Sequence, residues 1–345
     1  MNRAASSANI PGAPPCTPCR VIAWEVTRRC NLKCLHCRAS AENIPYFDEL
    51  DTNEALSLVS SFTQLGSPLI IFTGGEPLLR EDIFGLIASA REKNLRAALS
   101  VNGTLLSREI ALKIKEAGVS RCSISIDGAN SASHDSFRGV DGAFARGMEG
   151  AAMLKAAEVP LQINTTVTDK NINDLPGILA LCKHAGAVAW HIFLLVPVGR
   201  GANLKGLGPA AYERALNWIF EQSMTNSLEI KPTCAPQYHR LLAEKKTPTV
   251  KGRGCLGGVG FCFISHTGHV QPCGYLELSC GNVREQSLKS IWETSEVFLK
   301  LREQPQYSGK CGTCVYHNQC NGCRARAMQA GGNYLGDDPI CLFRG

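Results

Sequence analysis

Seventeen cysteines in 345 residues constrain this chain more than any other feature. The count is odd, so disulfides cannot pair all of them, and the first twenty residues contain no apolar stretch like that of a secretory signal. We therefore expect a cytoplasmic, reducing compartment, where disulfides are rare and dense cysteine indicates bound zinc or iron–sulfur. The cysteines form an N-terminal and a C-terminal group with few between them.

The N-terminal group contains the spacing C-x3-C-x2-C, formed by Cys30, Cys34 and Cys37 directly after a predicted strand. Three thiolates on one loop can hold three corners of an iron–sulfur cubane and leave the fourth iron open to a small molecule. Zinc remains an alternative, with the adjacent His36 as its fourth ligand. One βα unit later, Gly74–Pro77 reads GGEP, in which the glycines permit close backbone approach and the glutamate offers a carboxylate to an ammonium group.

Short apolar strands alternate with amphipathic stretches through the first two hundred residues. This alternation predicts a right-handed parallel sheet or partial barrel, with functional loops at the carboxyl ends of the strands. Six units are too few for a closed eight-fold barrel. The predicted strands cover residues 21–26, 69–72, 96–101, 121–126, 161–167 and 187–195, and the amphipathic stretches cover residues 53–66, 81–93, 107–117, 142–157 and 173–186.

Composition divides the chain into four parts. Residues 1–20, rich in Ala, Ser and Pro, are expected to be a mobile arm, and residues 21–205 form the predicted barrel. Residues 206–250 read as a helical bridge, and residues 251–345 as a cysteine-rich domain that needs metal to pack. The net charge of +6 comes without Lys/Arg runs, which argues against nucleic acid, and no stretch approaches the ~20 apolar residues of a membrane span.

The Cys30/Cys34/Cys37 loop followed by Gly74–Pro77 resembles the radical S-adenosylmethionine (SAM) superfamily. The resemblance implies a partial (β/α)6 barrel of TIM type, a [4Fe–4S] cluster on the three cysteines, and SAM bound to the open iron. It also implies a low-potential electron donor and a 5′-deoxyadenosyl radical that takes hydrogen from an unactivated carbon. By the same resemblance, the candidate SAM contacts are His36, Gly74, Gly75, Glu76, Asn102, Ser125, Arg138 and Leu195. Asn102 could equally be a strand-end cap, and Leu195 a core leucine.

The C-terminal cysteines allow either zinc or iron–sulfur from their spacing alone. Residues 268–274, 311–327 and 338–341 resemble the SPASM extension of radical SAM enzymes, which holds two auxiliary [4Fe–4S] clusters. The resemblance implies one cluster on Cys255, Cys262, Cys273 and Cys323, and a second on Cys311, Cys314, Cys320 and Cys341. Cys262 fits the pattern least, and without it the first auxiliary cluster would have an open iron.

Six cysteines remain outside these sets. Cys122 and Cys182 are expected to be small buried hydrophobic residues, and Cys280 to be structural. Cys16 and Cys19 form a C-x2-C on the arm that could bind metal. The sixth is Cys234, which lies in a segment, residues 233–240, with a different resemblance.

Residues 191–197, 233–240 and 254–266 resemble the tetrapyrrole-modifying branch of the superfamily, and in particular its heme b-forming members. The resemblance implies oxidative decarboxylation of two propionates of iron-coproporphyrin III to vinyl groups. Candidates to bind propionates are Arg200, Lys231 and Arg240, and candidates to contact the substrate iron are Cys234, Tyr238, His239 and His266. The open alternatives are acetate removal from didecarboxysiroheme, heme d1 formation, a peptide maturase, and a metal-bearing scaffold or electron carrier.

Overall fold

Parallel strands joined by helices make up the first two-thirds of the chain. The computed structural model describes residues 17–247, 252–303 and 306–343. Within them, seven strands pair in parallel, each beside its predecessor: β1 Val21–Glu25, β2 Leu69–Thr73, β3 Arg96–Val101, β4 Arg121–Ser125, β5 Leu161–Val167, β6 Ala189–Leu194 and β7 Glu229–Thr233. The first six lie where the sequence predicts them. Cys16 and most of the predicted arm lie outside the described residues.

Helices connect these strands, and local signals set their ends. Asp51 and Glu54 form a capping box in which each side chain accepts the other residue's backbone N–H, so a helix begins there. Gly118 and Gly186, both at left-handed φ, end two others. The bounds are α1 Thr52–Ser61, α2 Ile83–Glu92, α3 Arg108–Ala117, α4 Ser131–Arg138, α5 Ala143–Ala156, α6 Leu175–Ala185, α7 Pro209–Thr225 and α8 Gln237–Glu244.

Alternation along the strands separates an apolar face from a polar one. In β5, Leu161 and Ile163 are buried in the main core, whereas Gln162 and Asn164 on the opposite face are only half-buried. On that polar face Arg121 of β4 reaches Glu229 of β7, with 3.3 Å between nitrogen and oxygen. Flat strands spaced ~4.8 Å apart would place β4 and β7 ~14 Å from each other. The contact therefore indicates that the sheet curves around its polar face, as in a partial barrel.

The seventh strand corrects the expectation of a purely helical bridge over residues 206–250. β7 lies between α7 and α8 and pairs with β6. It contains the exposed Lys231 and the half-buried Pro232, so it lacks the apolar pattern that marks the other strands. Proline is tolerated because β7 is an edge strand of the sheet.

The cysteine-rich part of the chain continues the same sheet. β8 Phe261–Ile264 pairs in parallel with β1, and β9 His269–Gln271 and β10 Gly281–Asn282 follow antiparallel. Beyond β10, the described residues form four short helices: α9 Leu288–Thr294, α10 Glu296–Arg302, α11 Gly309–Thr313 and α12 Arg324–Gly331. In the part of the chain that the structure describes, β7 and β8 are not hydrogen-bonded neighbours, so the barrel is open on that side. No described helix is both long and apolar enough to span a membrane.

Candidate active site and cluster sites

The loop after β1 brings three thiols together at the carboxyl end of the sheet. Cys30 and Cys34 are buried, and the half-buried Cys37 packs against the same small apolar group. Burial raises the pKa of Cys30 to about 12, and electrostatic interactions with Glu76, Cys34 and Cys37 contribute to that rise. Thiolates at these positions need the positive charge of a metal. The loop therefore fits the cluster that the sequence predicts.

Arg138, at the end of α4, holds the cluster loop through its side chain. Its Nη1 lies 3.5 Å from Cys34 Sγ, and its Nη2 forms a buried ion pair with Asp127. The remaining donor, Nε, is buried and has no hydrogen-bond partner among the described residues. The Arg138 side chain is thus held by Cys34 and Asp127, and its Nε–H remains available to a ligand.

His36 lies between an aromatic ring and an acid. Its ring stacks on Phe137 with centroids 4.5 Å apart, and its Nε2 is 3.7 Å from the Asp127 carboxylate. Burial, and then Arg138 and Arg200, hold the pKa of His36 well below its usual value. The imidazole is therefore neutral, as a ring beside adenine would be.

Gly74 and Gly75 allow two loops to touch. The Gly75 N–H donates to Thr27 O at 2.7 Å, and the Glu76 N–H donates to Arg29 O at 2.8 Å. A Cβ at either glycine would collide with the backbone of Thr27 or Arg29. The sequence interpretation attributed these glycines to ligand approach, whereas here they pack the GGEP segment against the cluster loop.

Glu76 is a buried carboxylate beside that loop. Its Oε2 accepts the Asn102 N–H at 2.7 Å and its Oε1 accepts the Leu78 N–H at 3.1 Å, while burial raises its pKa to about 7. The Asn102 side chain donates to Asn31 Oδ1 at 2.8 Å, so Asn102 is a strand-end cap tied to the cluster loop. Oxygen lone pairs of Glu76 remain available to an amino group.

Ser125 and Leu195, the last two predicted SAM contacts, lie at strand ends. Ser125 ends β4, is half-buried and is in register with Asn164 on the polar face. Leu195 directly follows β6 and is buried. Ser125 is thus placed for a ligand, and the contact of Leu195 with SAM stays a prediction.

Glu25 is a site residue that the sequence analysis missed. Its buried carboxylate contacts Arg38, Arg28 at 3.2 Å and His266 Nδ1 at 2.7 Å. Burial alone would raise the pKa of Glu25, but Arg38, His266 and Arg28 outweigh it and lower the pKa to about 2. Arg38 also lies over the Phe263 ring at 4.3 Å, so the group joins the cluster loop to β8. A glutamate ending the apolar strand VIAWE was the available signal.

The Glu25 carboxylate holds the His266 ring through Nδ1, and the contact of His266 with a substrate iron stays a prediction. Arg200 is held in place as well. Its Nε donates to Cys34 O and its Nη1 to Ala41 O, both at 2.9 Å, so it clamps the cluster loop. Arg240 is likewise held, by Glu213 at 2.6 Å and Glu244 at 2.8 Å. Both terminal nitrogens of Arg240 are therefore taken by acids, whereas the buried Nη2 of Arg200 has no hydrogen-bond partner among the described residues.

The other substrate candidates differ in their accessibility. Tyr238 is buried, and its hydroxyl lies 3.2 Å from Ser223 Oγ. His239 is half-buried, burial lowers its pKa, and its Nδ1 has no hydrogen-bond partner in the residues described. Lys231 is exposed on β7 and pairs with Glu229 at 2.6 Å. Lys231 is therefore the candidate that lies at the surface, whereas the unpartnered Nδ1 of His239 is buried.

Four cysteines line one cavity near the C-terminus, as the sequence predicts for the second auxiliary cluster. Cationic side chains of Arg240 and Lys310 also line it, which suits bound anionic thiolates. Asn321 lies in the same lining, is 2% exposed, and has no hydrogen-bond partner for either side-chain polar atom among the described residues. Such an orphaned donor fits a cluster sulfur. The four cysteines are Cys311, Cys314, Cys320 and Cys341.

The first auxiliary set is only partly brought together. Cys273 and Cys323 share a small apolar group that also contains Cys234. Burial, and then Cys255 and Cys323, raise the pKa of Cys273, so Cys255 belongs to this neighbourhood.

Cys262 is the exception and corrects the predicted set. It lies on β8 in register with Ile22, is fully buried in the main core, and has its sulfur 3.9 Å from Cys19 Sγ.

Three further cysteines agree with the sequence interpretation, whereas Cys19, expected on the mobile arm, is buried in the main core. Cys122 and Cys182 are buried in the main core, and Cys280 packs against it. Among the described residues, no three His, Cys, Asp or Glu side chains have the spacing for one shared metal ion. A [4Fe–4S] cluster binds each thiolate to a different iron, so its ligands need not converge on one point.

Comparison with known proteins identifies the two parts of the chain. The family model of the radical SAM superfamily matches residues 24–182, and that of SPASM, an iron–sulfur cluster-binding domain, matches residues 255–324. The fold is that of the Streptococcus suis SuiB crystal structure with bound S-adenosylmethionine, with a TM-score of 0.78 at 15% identity, over 95% of this chain and 78% of that one. The chain is therefore an enzyme that uses [4Fe–4S] clusters and SAM.

Two relatives place it within that superfamily. The "AdoMet-dependent heme synthase" of Nitratidesulfovibrio vulgaris is 52% identical over 340 residues, which cover 94% of this chain and 93% of the relative. The "Fe-coproporphyrin III synthase" of Methanosarcina barkeri is 32% identical, over 94% of this chain and 88% of the relative. The chain belongs to the radical SAM enzymes with a SPASM domain and, within them, to the family of AdoMet-dependent heme synthases.

Proposed function

We propose that the enzyme decarboxylates two propionate side chains of iron-coproporphyrin III to vinyl groups and so forms heme b. The observation that carries this proposal is the full-length match to a heme synthase, which is much stronger than the match to the Fe-coproporphyrin III synthase. The latter relative supports a second candidate, the removal of acetate groups from an earlier tetrapyrrole. Both reactions act on a polycarboxylate, which suits a chain of net charge +6.

The reaction balances as an oxidation. Each propionate loses one hydrogen atom from its β-carbon, then carbon dioxide and one electron, and a vinyl group remains. When bound, the first cluster and SAM supply a carbon radical able to take that hydrogen, at the expense of one electron from a low-potential donor. The electron released with carbon dioxide must leave to a one-electron acceptor.

The chain's own residues would bind and orient SAM. We assign the first cluster to Cys30, Cys34 and Cys37, supported by their burial in one loop. The Glu76 carboxylate would accept a hydrogen bond from the amino group of SAM. The unpartnered Nε of Arg138 would donate a hydrogen bond to the ribose or carboxylate of SAM. Both side chains are already held by backbone or acid contacts, so little ordering remains to be done on binding.

The substrate would enter where the barrel is open, between β7 and β8. Lys231 on β7 would bind a propionate there, and His239 in α8 would contact the substrate iron through its unpartnered Nδ1. The polar face of the sheet, with Gln162 and Asn164, provides hydrogen-bonding groups along the path toward the first cluster. The partial barrel supports these placements, because its polar face is the one around which the sheet curves.

An anaerobic assay tests the function. The reconstituted enzyme is mixed with SAM, dithionite and iron-coproporphyrin III, and products are identified by mass spectrometry. We expect heme b together with 5′-deoxyadenosine. Deoxyadenosine with unchanged iron-coproporphyrin III, and acetate loss when didecarboxysiroheme replaces it, would instead establish the second candidate.

A further inference from the structure

We propose that Cys234 supplies the fourth thiolate of the auxiliary [4Fe–4S] cluster bound by Cys255, Cys273 and Cys323, and that Cys262 is not a ligand. The inference rests on the proposed function, because it completes the ligand set of a cluster that belongs to that enzyme. It also gives Cys234 a different role from the substrate-iron contact that the sequence suggested.

The packing around Cys234 supports this assignment. Cys234, Cys273 and Cys323 lie in one apolar group that contains Val196 and Val198, separate from the main core. The three cysteines come from distant parts of the chain: one follows β7, one follows β9 and one precedes α12. An apolar enclosure of several thiols is what a low-potential cluster requires, because it limits access of water.

Cys255 lies beside this group on a fourth segment. Its N–H donates to Cys320 O at 3.3 Å, and a Cβ at the neighbouring Gly254 would lie 2.7 Å from Pro236 O. The segment therefore passes directly beside the residues that follow Cys234. A Cβ at Gly257 would lie 3.7 Å from Cys255 Sγ and 3.3 Å from Pro272 O, so the Cys255 thiol lies near the residue that precedes Cys273.

A buried ion pair fixes Cys234 relative to Cys323. Arg326 Nη1 donates to Cys234 O at 2.7 Å, and Arg326 Nη2 pairs with Asp338 at 2.9 Å. The same Asp338 carboxylate accepts the Cys323 N–H at 2.7 Å. Two chain segments that are far apart in sequence are thereby held in one geometry, as preorganised metal ligands need.

The backbone at Cys234 is strained in a way that suits a ligand. Its φ is 56°, in the left-handed region, which is unfavourable for a non-glycine residue. Strain of this kind persists where the side chain must point in one direction for function. Alanine and serine would occupy the same φ with similar strain, so they are suitable substitutions.

Cys262 lies on the wrong face of β8 for this role. Side chains alternate along a strand, and Cys262 shares its face with Ile264 in the main core. Phe263, on the other face, lies under Arg38. Cys262 therefore makes a matched control: it is a buried cysteine that the family resemblance named but the fold directs elsewhere.

The test uses the full chain with Cys30, Cys34 and Cys37 replaced by alanine, so that all remaining iron belongs to the auxiliary sites. Cys234→Ala, Cys234→Ser and Cys262→Ala are added separately, and iron, sulfide and electron paramagnetic resonance (EPR) spectra of the reduced proteins are measured anaerobically. We expect Cys234→Ala to lose about four irons per chain or to shift the g values of one cluster. Cys234→Ser should keep the iron and shift the same signal, and Cys262→Ala should match its parent.

The second auxiliary cluster reports folding in every variant, because its EPR signal should be unchanged. The assignment would be overturned if the spectra of Cys234→Ala and Cys234→Ser were identical to those of the parent. It would also be overturned if Cys262→Ala lost a cluster while both Cys234 variants kept theirs. No porphyrin is present, so the ligand assignment and the proposed reaction fail separately. An enzyme that forms no heme could still show the predicted spectra.

Discussion

The first cluster site and the first auxiliary site are built in opposite ways. Cys30, Cys34 and Cys37 lie within one loop, so their spacing alone identifies the site. The auxiliary site gathers thiols from segments that extend from Cys234 to Cys323 and meet only after the sheet has formed. Spacing can therefore identify a site on one loop, whereas a site made from distant segments can be assigned only from the fold.

Distant residues nevertheless hold both sites in place. Arg200 donates to Cys34 O in the first site, and Arg326 donates to Cys234 O in the auxiliary one. In each case an arginine from later in the chain fixes a backbone carbonyl of a cysteine. The two sites differ in where their ligands originate, and they share this way of being fixed.

The largest effect is expected from Cys34→Ala. This substitution removes a ligand of the first cluster, so 5′-deoxyadenosine and heme should both fall below detection. Product analysis checks the loss, and EPR of the reduced protein should still show both auxiliary clusters. Loss of the auxiliary signals as well would show that the two regions do not assemble independently.

The double substitution Cys311→Ala/Cys314→Ala should separate the two halves of the reaction. The first cluster site is untouched, so SAM cleavage should continue, while heme formation should stop because the second auxiliary cluster is missing. Deoxyadenosine and heme are quantified in the same reaction. A normal heme yield from this variant would show that the second auxiliary cluster is not needed for turnover.

Arg326→Leu should loosen the auxiliary region more than the first cluster. It leaves Asp338 as an unpaired buried charge, which costs roughly 3–5 kcal/mol in the free energy of unfolding. Anaerobic chemical denaturation measures this loss. Adding Asp338→Asn removes the buried charge and should recover part of the lost free energy of unfolding. A double variant as unstable as Arg326→Leu would contradict the role of the ion pair.

The smallest effect is expected from Asn321→Leu. Its buried amide would donate to a sulfur of the second auxiliary cluster, and removing the donor should lower that cluster's reduction potential by on the order of tens of millivolts. An EPR-monitored redox titration measures the shift. The first cluster provides the internal control, since its potential should stay the same.

The strands and the first cluster site were predictable because their signals are local. β1 to β6 carry apolar runs between helical stretches, and the C-x3-C-x2-C loop is contiguous. β7 was missed because Lys231 and Pro232 interrupt the apolar pattern that identifies a strand. Both residues are tolerated there because, among the described residues, β7 pairs along one edge only.

The errors in the site have a long-range origin. Arg240 was interpreted as a free cation because its partner Glu213 lies 27 residues away in the sequence. Cys262 was interpreted as a cluster ligand because its neighbour Cys19 lies 243 residues away. Glu25 was overlooked because its partner His266 meets it only after β8 joins β1. Spacing cannot report such contacts, because they are set by strand register and by which face a side chain occupies.

The most direct test of the proposed reaction follows one hydrogen atom. Iron-coproporphyrin III carrying deuterium at the β-carbons of its propionates is incubated anaerobically with enzyme, SAM and dithionite. The account predicts one deuterium transferred to 5′-deoxyadenosine for each vinyl group formed. Vinyl formation with unlabelled deoxyadenosine from this substrate would contradict the proposed abstraction, and deoxyadenosine without any vinyl product would contradict the assigned substrate.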